Sequence, residues 1–355
     1  MKRIKARSYF VEFKQKGFSK LEKLIENNDY SSVFILVDSN TLEYCVPLFK
    51  NKIIQSLKFQ ILSVSPGEEF KTITSCQKIW QSLSDKGADK KSLIINLGGG
   101  VITDMGGFIA STYKRGIEFV NVPTTLLSMV DASIGGKTGI DFGDIKNQIG
   151  LISDPILVII ESDFLETLSH KEYRSGYSEM LKHGLISDKD YWNTLSDFLK
   201  KDNKDILPFI HKSIEIKNKV VLKDPFEKNE RKILNFGHTI GHAIESYFIK
   251  SNHLEKLSHG EAIAIGMIVE ASISVDNYSL KQSDANEIKD IFDSIFSKIK
   301  IDVLDQKKII SIIKFDKKNS HGNINFVLLK SIGFPVIDVT VTNEEINKGF
   351  LFYNS

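Results

Sequence analysis

"KSLIINLGGGVITDMGGFIAS", residues 91–111, settles the class of fold. The run of Leu and Ile reads as a buried strand, and Gly98, Gly99 and Gly100 stand where it passes into the helical pattern "VITDMGGFIAS". Glycines at such a turn let a ligand approach the backbone, and the helix that follows offers unpaired N–H groups and a positive dipole end to a phosphate. The spacing is not a strict GxGxxG, so a tight turn with close helix–sheet packing remains the alternative.

The same alternation continues on both sides. "SVFILVDSN" and "KFQILSV" read as strands, "CQKIWQSLSDKG" as an amphipathic helix stopped by Gly87, and "IEFVNVPTT" as a further strand. Strands alternating with helices imply a parallel sheet covered on its faces. In such a sheet the ligand crevice lies at the C-terminal strand ends. "SPGEEFK", the glycine turn and "VPTT" all follow predicted strands there, which favours a dinucleotide. Of 23 glycines, 11 lie between Gly98 and Gly150. Within "MVDASIGGKTGIDFGDIKNQIG", Asp131, Lys137, Lys146 and Asn147 sit in a glycine-rich frame suited to an anionic, hydroxylated substrate.

From about residue 158 the texture becomes helical, with patterns over 166–186, 189–222, 231–250, 258–275 and 281–298. The expected division is therefore an α/β domain over 1–157 with a Rossmann-like parallel sheet, and a mostly α-helical domain over 158–355. Three helical segments carry candidate metal ligands: "GYSEMLKHG" with Glu179, Lys182 and His183, "NFGHTIGHAIES" with His238 and His242, and "LSHGEAIAIGM" with His259. A Glu and two His with one open position are a normal set for catalytic zinc. Local spacing favours His238 with His242, because i and i+4 share one helix face. The pattern alone does not choose among these.

Bulk composition narrows the class. The 355 residues are 41% apolar and 26% charged, as in a soluble globular protein. A net charge of +2 gives no reason to expect nucleic acid or an anionic membrane as partner. The basic N-terminus lacks the apolar core of a signal peptide, and no apolar run approaches the roughly 20 residues that span a bilayer. Cys45 and Cys76 form no CxxC, so no disulfide framework is expected. A cytoplasmic protein is the expectation. Of 47 basic residues only Arg3, Arg7, Arg115, Arg174 and Arg231 are arginine, and three of the five fall in motif-dense stretches. That suggests use where a planar, forked donor matters.

Six ordered motifs carry a resemblance: "GGGVITDMGGFIASTYKRG", "VPTTLLSMVDASIGGKTGI", "KNQIG", "SEMLKHGLISD", "RKILNFGHTIGHAIE" and "HGEAIAIGM". Together they resemble the 3-dehydroquinate synthases, within the wider sugar phosphate cyclases, from about Val37 to "DKKNSHGNINFVLL". The resemblance implies a lyase that converts a heptulosonate phosphate with catalytic NAD⁺ and a divalent metal, zinc or cobalt. It implies Glu179, His238 and His259 as metal ligands. His242 would then face the substrate as a buried neutral imidazole. Asp131, Lys137, Asn147, Lys182, Lys217, Arg231, Asn235 and Lys317 match positions around the substrate. Arg115 matches an arginine that crosses a homodimer interface. For NAD⁺ the matching positions are Asp38, Glu68, Glu69, Lys71, Gly100, Val101, Ile102, Thr103, Asp104, Thr124, Thr125, Lys137, Lys146, Phe164, Leu165, Glu166 and Thr167. Thr103 replaces a common Gly, Ser178 a common Ala and His183 a common Tyr. Alternatives are another sugar phosphate cyclase, a metal-dependent NAD polyol dehydrogenase, and an inactive binding paralogue.

Overall fold

The computed structural model describes residues 1–143, 145–198, 205–251, 256–318 and 324–355, the side chains of 315–318 excepted. The chain forms two compact units, Met1–Ser169 and His170–Ser355.

The first unit opens with β1 (Ile4–Lys5), β2 (Phe10–Phe13) and α1 (Gln15–Asn28). The expected alternation follows as β3 (Ser32–Asp38), α2 (Ser39–Lys52), β4 (Gln60–Val64), α3 (Ile73–Asp85), β5 (Ser92–Gly98), α4 (Gly100–Thr112) and β6 (Glu118–Pro123). An antiparallel ribbon comes next, β7 (Lys137–Phe142) with β8 (Ile145–Ile152), and then β9 (Leu157–Ile160). The main sheet runs β1-β2-β9-β6-β5-β3-β4, parallel throughout except for β1 with β2. All seven residues of β5 are buried, as expected of a central strand covered on both faces. Helix α4 lies close on it: a Cβ added to Gly106 would stand 2.0 Å from Asn96 Oδ1.

The expected boundary after residue 157 falls too early. β9 inserts between β6 and β2, with Phe10 opposite Leu157, so the unit keeps its chain to Ser169. A pairing between residues so far apart in sequence is invisible to any local pattern.

The second unit contains α5 (His170–Ser187), α6 (Lys189–Phe198), α7 (Leu207–Lys223), α8 (His238–Lys250), α9 (His259–Tyr278), α10 (Gln282–Ile295) and α11 (Val303–Lys318). It ends with a hairpin, β10 (Asn325–Ser331) and β11 (Phe334–Thr340), and α12 (Asn343–Asn354). Three helical expectations are corrected. The 189–222 pattern is two helices, and 166–169 precedes α5. The 231–250 pattern becomes α-helical only at His238, because Gly237 is left-handed at φ 80° and a 3₁₀ turn occupies Glu230–Asn235. The apolar α9 is the unit's axis and packs against α5, α8, α10, α12 and β10. Among the described residues no helix is long and apolar enough to cross a membrane.

Candidate active site

In the helical unit, α5 is buried continuously from Ser175 to Ile186 although that stretch carries Glu179, Lys182 and His183. Buried charge must be paired or serve a ligand. The Lys182 ammonium is an ion-pair partner of the Glu179 carboxylate, and His183 Nδ1 lies 2.6 Å from Ser213 Oγ. Neither Glu179 oxygen makes a hydrogen bond among the described residues, although both are buried.

Two imidazoles converge on this carboxylate. His238 Nε2 is 3.7 Å and His259 Nε2 is 3.9 Å from the same oxygen, Oε1. One donor atom from each of the three residues lies within 4.8 Å of the others. Donors about 2.0–2.2 Å from a tetrahedral zinc stand roughly 3.3–3.6 Å apart, so the cluster is only slightly wider than a loaded site. Burial, reinforced by the Lys182 ammonium, holds the His238 imidazole well below its ordinary range, leaving it neutral. Its Nδ1 lies 3.2 Å from the Phe236 carbonyl, which only accepts, so Nδ1–H donates and the Nε2 lone pair faces Glu179. A neutral imidazole with that tautomer is what a cation requires.

Local chemistry explains how the ligands meet. His259 is the first residue of α9, where Ser258 and Glu261 form a capping box, so Glu261 of "HGE" is used on the helix end. Gly260 docks that end onto α5: its N–H donates to Ser175 Oγ at 2.9 Å, and a Cβ there would lie 2.3 Å from Ser175 Cα. His238 is likewise the first residue of α8, whose N-terminus no neighbouring side chain on its own helix caps. Glu270 of α9 supplies the acceptor, its Oε2 taking the Gly237 N–H at 2.6 Å. Burial raises the Glu270 carboxyl well above its usual range.

Other expected residues of this unit lie on α7, on α8 and in the turn that precedes α8. His242 shares α8 with His238, their ring centroids 5.1 Å apart. It is exposed, which corrects the expectation of a buried imidazole: it lies one turn on, with its ring at the surface. Its donor atom groups with Glu245 and His259 rather than with Glu179. Lys217 on α7 is buried. Arg231 is 1% exposed and donates from Nη1 to the Pro225 carbonyl at 2.7 Å. Its loop is knotted by Asp224, whose carboxylate accepts the N–H groups of Lys228, Asn229 and Arg231. Asn235 donates to Glu227 Oε1 at 2.8 Å. The Lys317 side chain lies outside the described residues. Sequence reasoning missed Glu227, Glu245 and Glu270. Glu245 closes the motif "RKILNFGHTIGHAIE" and Glu227 stands four residues before it, whereas nothing in the apolar run of α9 marks Glu270.

In the α/β unit the parallel strands β3, β4, β5 and β6 end on one edge. Asp38, Glu68 to Lys71, Gly98 to Gly100 and Thr124 to Thr125 follow there. Asp38 caps α2 through the Thr41 N–H at 2.8 Å. The Gly99 end of α4 has no side-chain cap. Thr103 fits because its hydroxyl bonds back to the Gly99 and Gly100 carbonyls, and Ile102 is core. Lys71 is buried and donates to Asp104 Oδ2 at 2.7 Å and Asn147 Oδ1 at 2.6 Å, with Glu68 at 3.7 Å. Burial opposes its charge, but Asp104 and Glu68 outweigh it and hold the ammonium above its ordinary range. Lys146 reaches Glu68 at 3.9 Å, and Asn147, expected near substrate, joins the residues expected near the dinucleotide through Lys71. Phe164 is buried in the 3₁₀ turn Ser162–Thr167, which holds Leu165 and Glu166 as well. Glu69 and Lys137 are exposed, and Asp131 is half-buried in the turn Ser128–Ala132. Arg115 is exposed at the end of a turn where Lys114, Arg115 and Gly116 all have positive φ.

These two arrangements define the class before any relative is considered: an α/β unit with a glycine-turn edge, joined in sequence to a helical unit with a Glu–His–His cluster. Similar solved structures share the fold. A 2-deoxy-scyllo-inosose synthase complexed with carbaglucose-6-phosphate, NAD⁺ and Co²⁺ is 24% identical, with TM-score 0.83 and 98% of each chain covered. ValA, a 2-epi-5-epi-valiolone synthase from Streptomyces hygroscopicus with NAD⁺ and Zn²⁺ bound, is 23% identical, with TM-score 0.83 and 99% and 98% covered. The fold is the one these two synthases share.

Sequence comparison is narrower. Residues 61–175 match the 3-dehydroquinate synthase N-terminal domain and residues 176–319 its C-terminal domain. A 3-dehydroquinate synthase of Parabacteroides distasonis is 40% identical over 338 residues, covering 94% of this chain and 95% of that protein. The chain belongs to the 3-dehydroquinate synthase family.

Proposed function

We propose that this enzyme converts 3-deoxy-D-arabino-heptulosonate 7-phosphate to 3-dehydroquinate and phosphate, a net carbon–oxygen lyase reaction. NAD⁺ binds the α/β unit in this reading, and Zn²⁺ or Co²⁺ is held by Glu179, His238 and His259. The observation that carries it is the convergence of two imidazole Nε2 atoms on one buried carboxylate that makes no hydrogen bond among the described residues, in a chain matched almost end to end by synthase relatives. When bound, the nicotinamide takes and returns a hydride, and the cation polarises a substrate hydroxyl.

The protein's own groups do the rest. The edge formed by Gly98 to Gly100 and the uncapped start of α4 suits a pyrophosphate. Lys71, Asp104, Glu68 and Lys146 form a preformed charged network beside that edge. Arg231 offers a forked donor suited to carboxylate or phosphate, and Lys182, Lys217, Asn235 and Lys317 take the anionic and hydroxyl groups of the substrate. His242, at the surface one turn from His238, holds or moves a proton at a phosphate oxygen. Asp131 and Lys137 keep the substrate roles implied by the family motifs. The exposed, conformationally fixed Arg115 is the residue that reaches a second copy in a homodimer. The enzyme acts in the cytoplasm, in the aromatic biosynthetic route.

The test is to follow phosphate release and NADH absorbance together, with the heptulosonate phosphate, NAD⁺ and Zn²⁺. Phosphate release without net NADH is expected, because the hydride is returned in each cycle. Net NADH accumulation points to a polyol dehydrogenase. Absence of phosphate release from protein that binds both cofactors points to a different sugar phosphate.

A further inference from the structure

Glu245 has no part in the chemistry above, yet it touches a proposed ligand. It lies on α8, is 5% exposed, and its Oε2 is 3.5 Å from His259 Nδ1. The other ring nitrogen, Nε2, faces Glu179 at 3.9 Å, so the imidazole spans two carboxylates. His242, Glu245 and His259 also form a compact donor set of their own, sharing His259 with the first set.

Glu245 is therefore either a ligand of a second site or the group that orients His259 for the first. Two observations favour orientation. His238 follows the same plan, with Nε2 turned to Glu179 and Nδ1 turned away to a protein acceptor, the Phe236 carbonyl. The second set would also rely on an exposed His242, whereas the first closes on the fully buried Glu179. His259 is the more open of the two imidazoles, with a side-chain exposure of 26% against 14% for His238, and so has more need of an external hold.

We propose that Glu245 is a positioning residue: its carboxylate accepts the His259 Nδ1–H, fixes the tautomer that directs the Nε2 lone pair at Glu179, and makes that nitrogen a stronger donor. This rests on the reading of Glu179, His238 and His259 as a metal site. At 3.5 Å the contact is long, as such bonds commonly are before a site is loaded.

The test is Zn²⁺ affinity, by competition with a chromophoric chelator, for the full chain and for Glu245→Ala, Glu245→Gln and His238→Ala. The absorption spectrum of Co²⁺ gives a second readout. Glu245→Ala is expected to weaken Zn²⁺ about 10–100-fold while still taking up Co²⁺ with the unaltered spectrum. Glu245→Gln, which keeps an acceptor oxygen and serves if the Ala variant fails to fold, is expected to lose less. Unchanged affinity in both variants, or Gln no better than Ala, overturns the proposal. So does loss in Glu245→Ala as complete as in His238→Ala, which would make Glu245 a ligand. If His238→Ala itself leaves affinity intact, the metal-site reading falls and this one with it. Loss in His238→Ala with none in Glu245→Ala removes this one alone.

Discussion

The two units prepare charge in opposite ways. In the α/β unit the buried Lys71 ammonium already has Asp104, Asn147 and Glu68 around it. In the helical unit the buried Glu179 carboxylate has the Lys182 ammonium beside it but no hydrogen bond among the described residues, and two imidazole nitrogens stop short of it. The first arrangement is electrostatically complete. The second becomes complete when a cation arrives. A satisfied network contributes to folding, whereas an unsatisfied one is held in place by the fold around it.

The largest test of that contrast is Glu179→Gln. Removing the central charge should abolish stoichiometric metal uptake, measured by elemental analysis, and lower kcat by at least about 10²-fold. Because the buried Lys182 ammonium loses its ion-pair partner, the metal-free protein should lose some folded stability as well. A large loss of stability with metal retained would reverse the roles assigned to the two units.

Lys71→Met probes the other side. Removing one partner of a mostly buried pair should cost about 3 kcal/mol in urea unfolding at neutral pH. Much of that should return in Lys71→Met/Asp104→Asn, because the uncompensated carboxylate is then gone. Additive losses would show that the network is not coupled.

Glu270 gives a smaller effect with a defined sign. Its folded-state carboxyl titrates well above the ordinary value of 4.5, so the native protein keeps a proton that the unfolded chain releases. The stability it contributes is present below that value and is lost as pH rises through the folded one. Glu270→Gln mimics the protonated form and keeps an acceptor for Gly237. The variant should therefore gain a few degrees in Tm over the parent at pH 8, and about nothing at pH 4. A difference that is flat with pH, or grows on acidification, counts against a buried protonated Glu270.

The smallest effects come from a matched pair of caps. Ser258 and Thr342 both build capping boxes, at the starts of α9 and α12. Ser258→Ala and Thr342→Ala should each cost about 1 kcal/mol in thermal unfolding. Only Ser258→Ala should also loosen metal binding, by a few-fold, since only α9 begins with a proposed ligand. Equal effects on metal would mean that helix starts do not set ligand positions here.

How much of this was readable beforehand also divides between the units. The strand, glycine turn and helix at 91–111 are governed by contacts close in sequence, so their reading survived. The strand β2 was invisible because its parallel partner is β9, far along the chain, and so the domain boundary came out early. The ribbon β7–β8 lay unread within a glycine-rich frame, and the hairpin β10–β11 was hidden in a half read as mostly helical. Among the site residues, His238, His242 and His259 announced themselves by type. What no spacing could say is which of them share a centre. That is fixed by Gly260 resting on Ser175 and by α8 lying against α9, both non-local. His242 looked like the natural chelate partner of His238, yet the helix sets it at the surface, beside Glu245.

The glycines between these helices have a consequence for how the centre can drift. A Cβ on Gly266 would stand 2.0 Å from the Gly237 carbonyl, one on Gly241 2.6 Å from Ile263 Cδ1, and one on Gly260 2.3 Å from Ser175 Cα. The backbone segments carrying His238, His259 and Glu179 are thus spaced mostly by contact of backbone with backbone. Adding one methyl group at any of these points forces a displacement of about an ångström, larger than the roughly 0.2 Å that metal–ligand bond lengths tolerate. The three helices therefore work as a gauge block, and the distance between ligands is a property of bare polypeptide thickness.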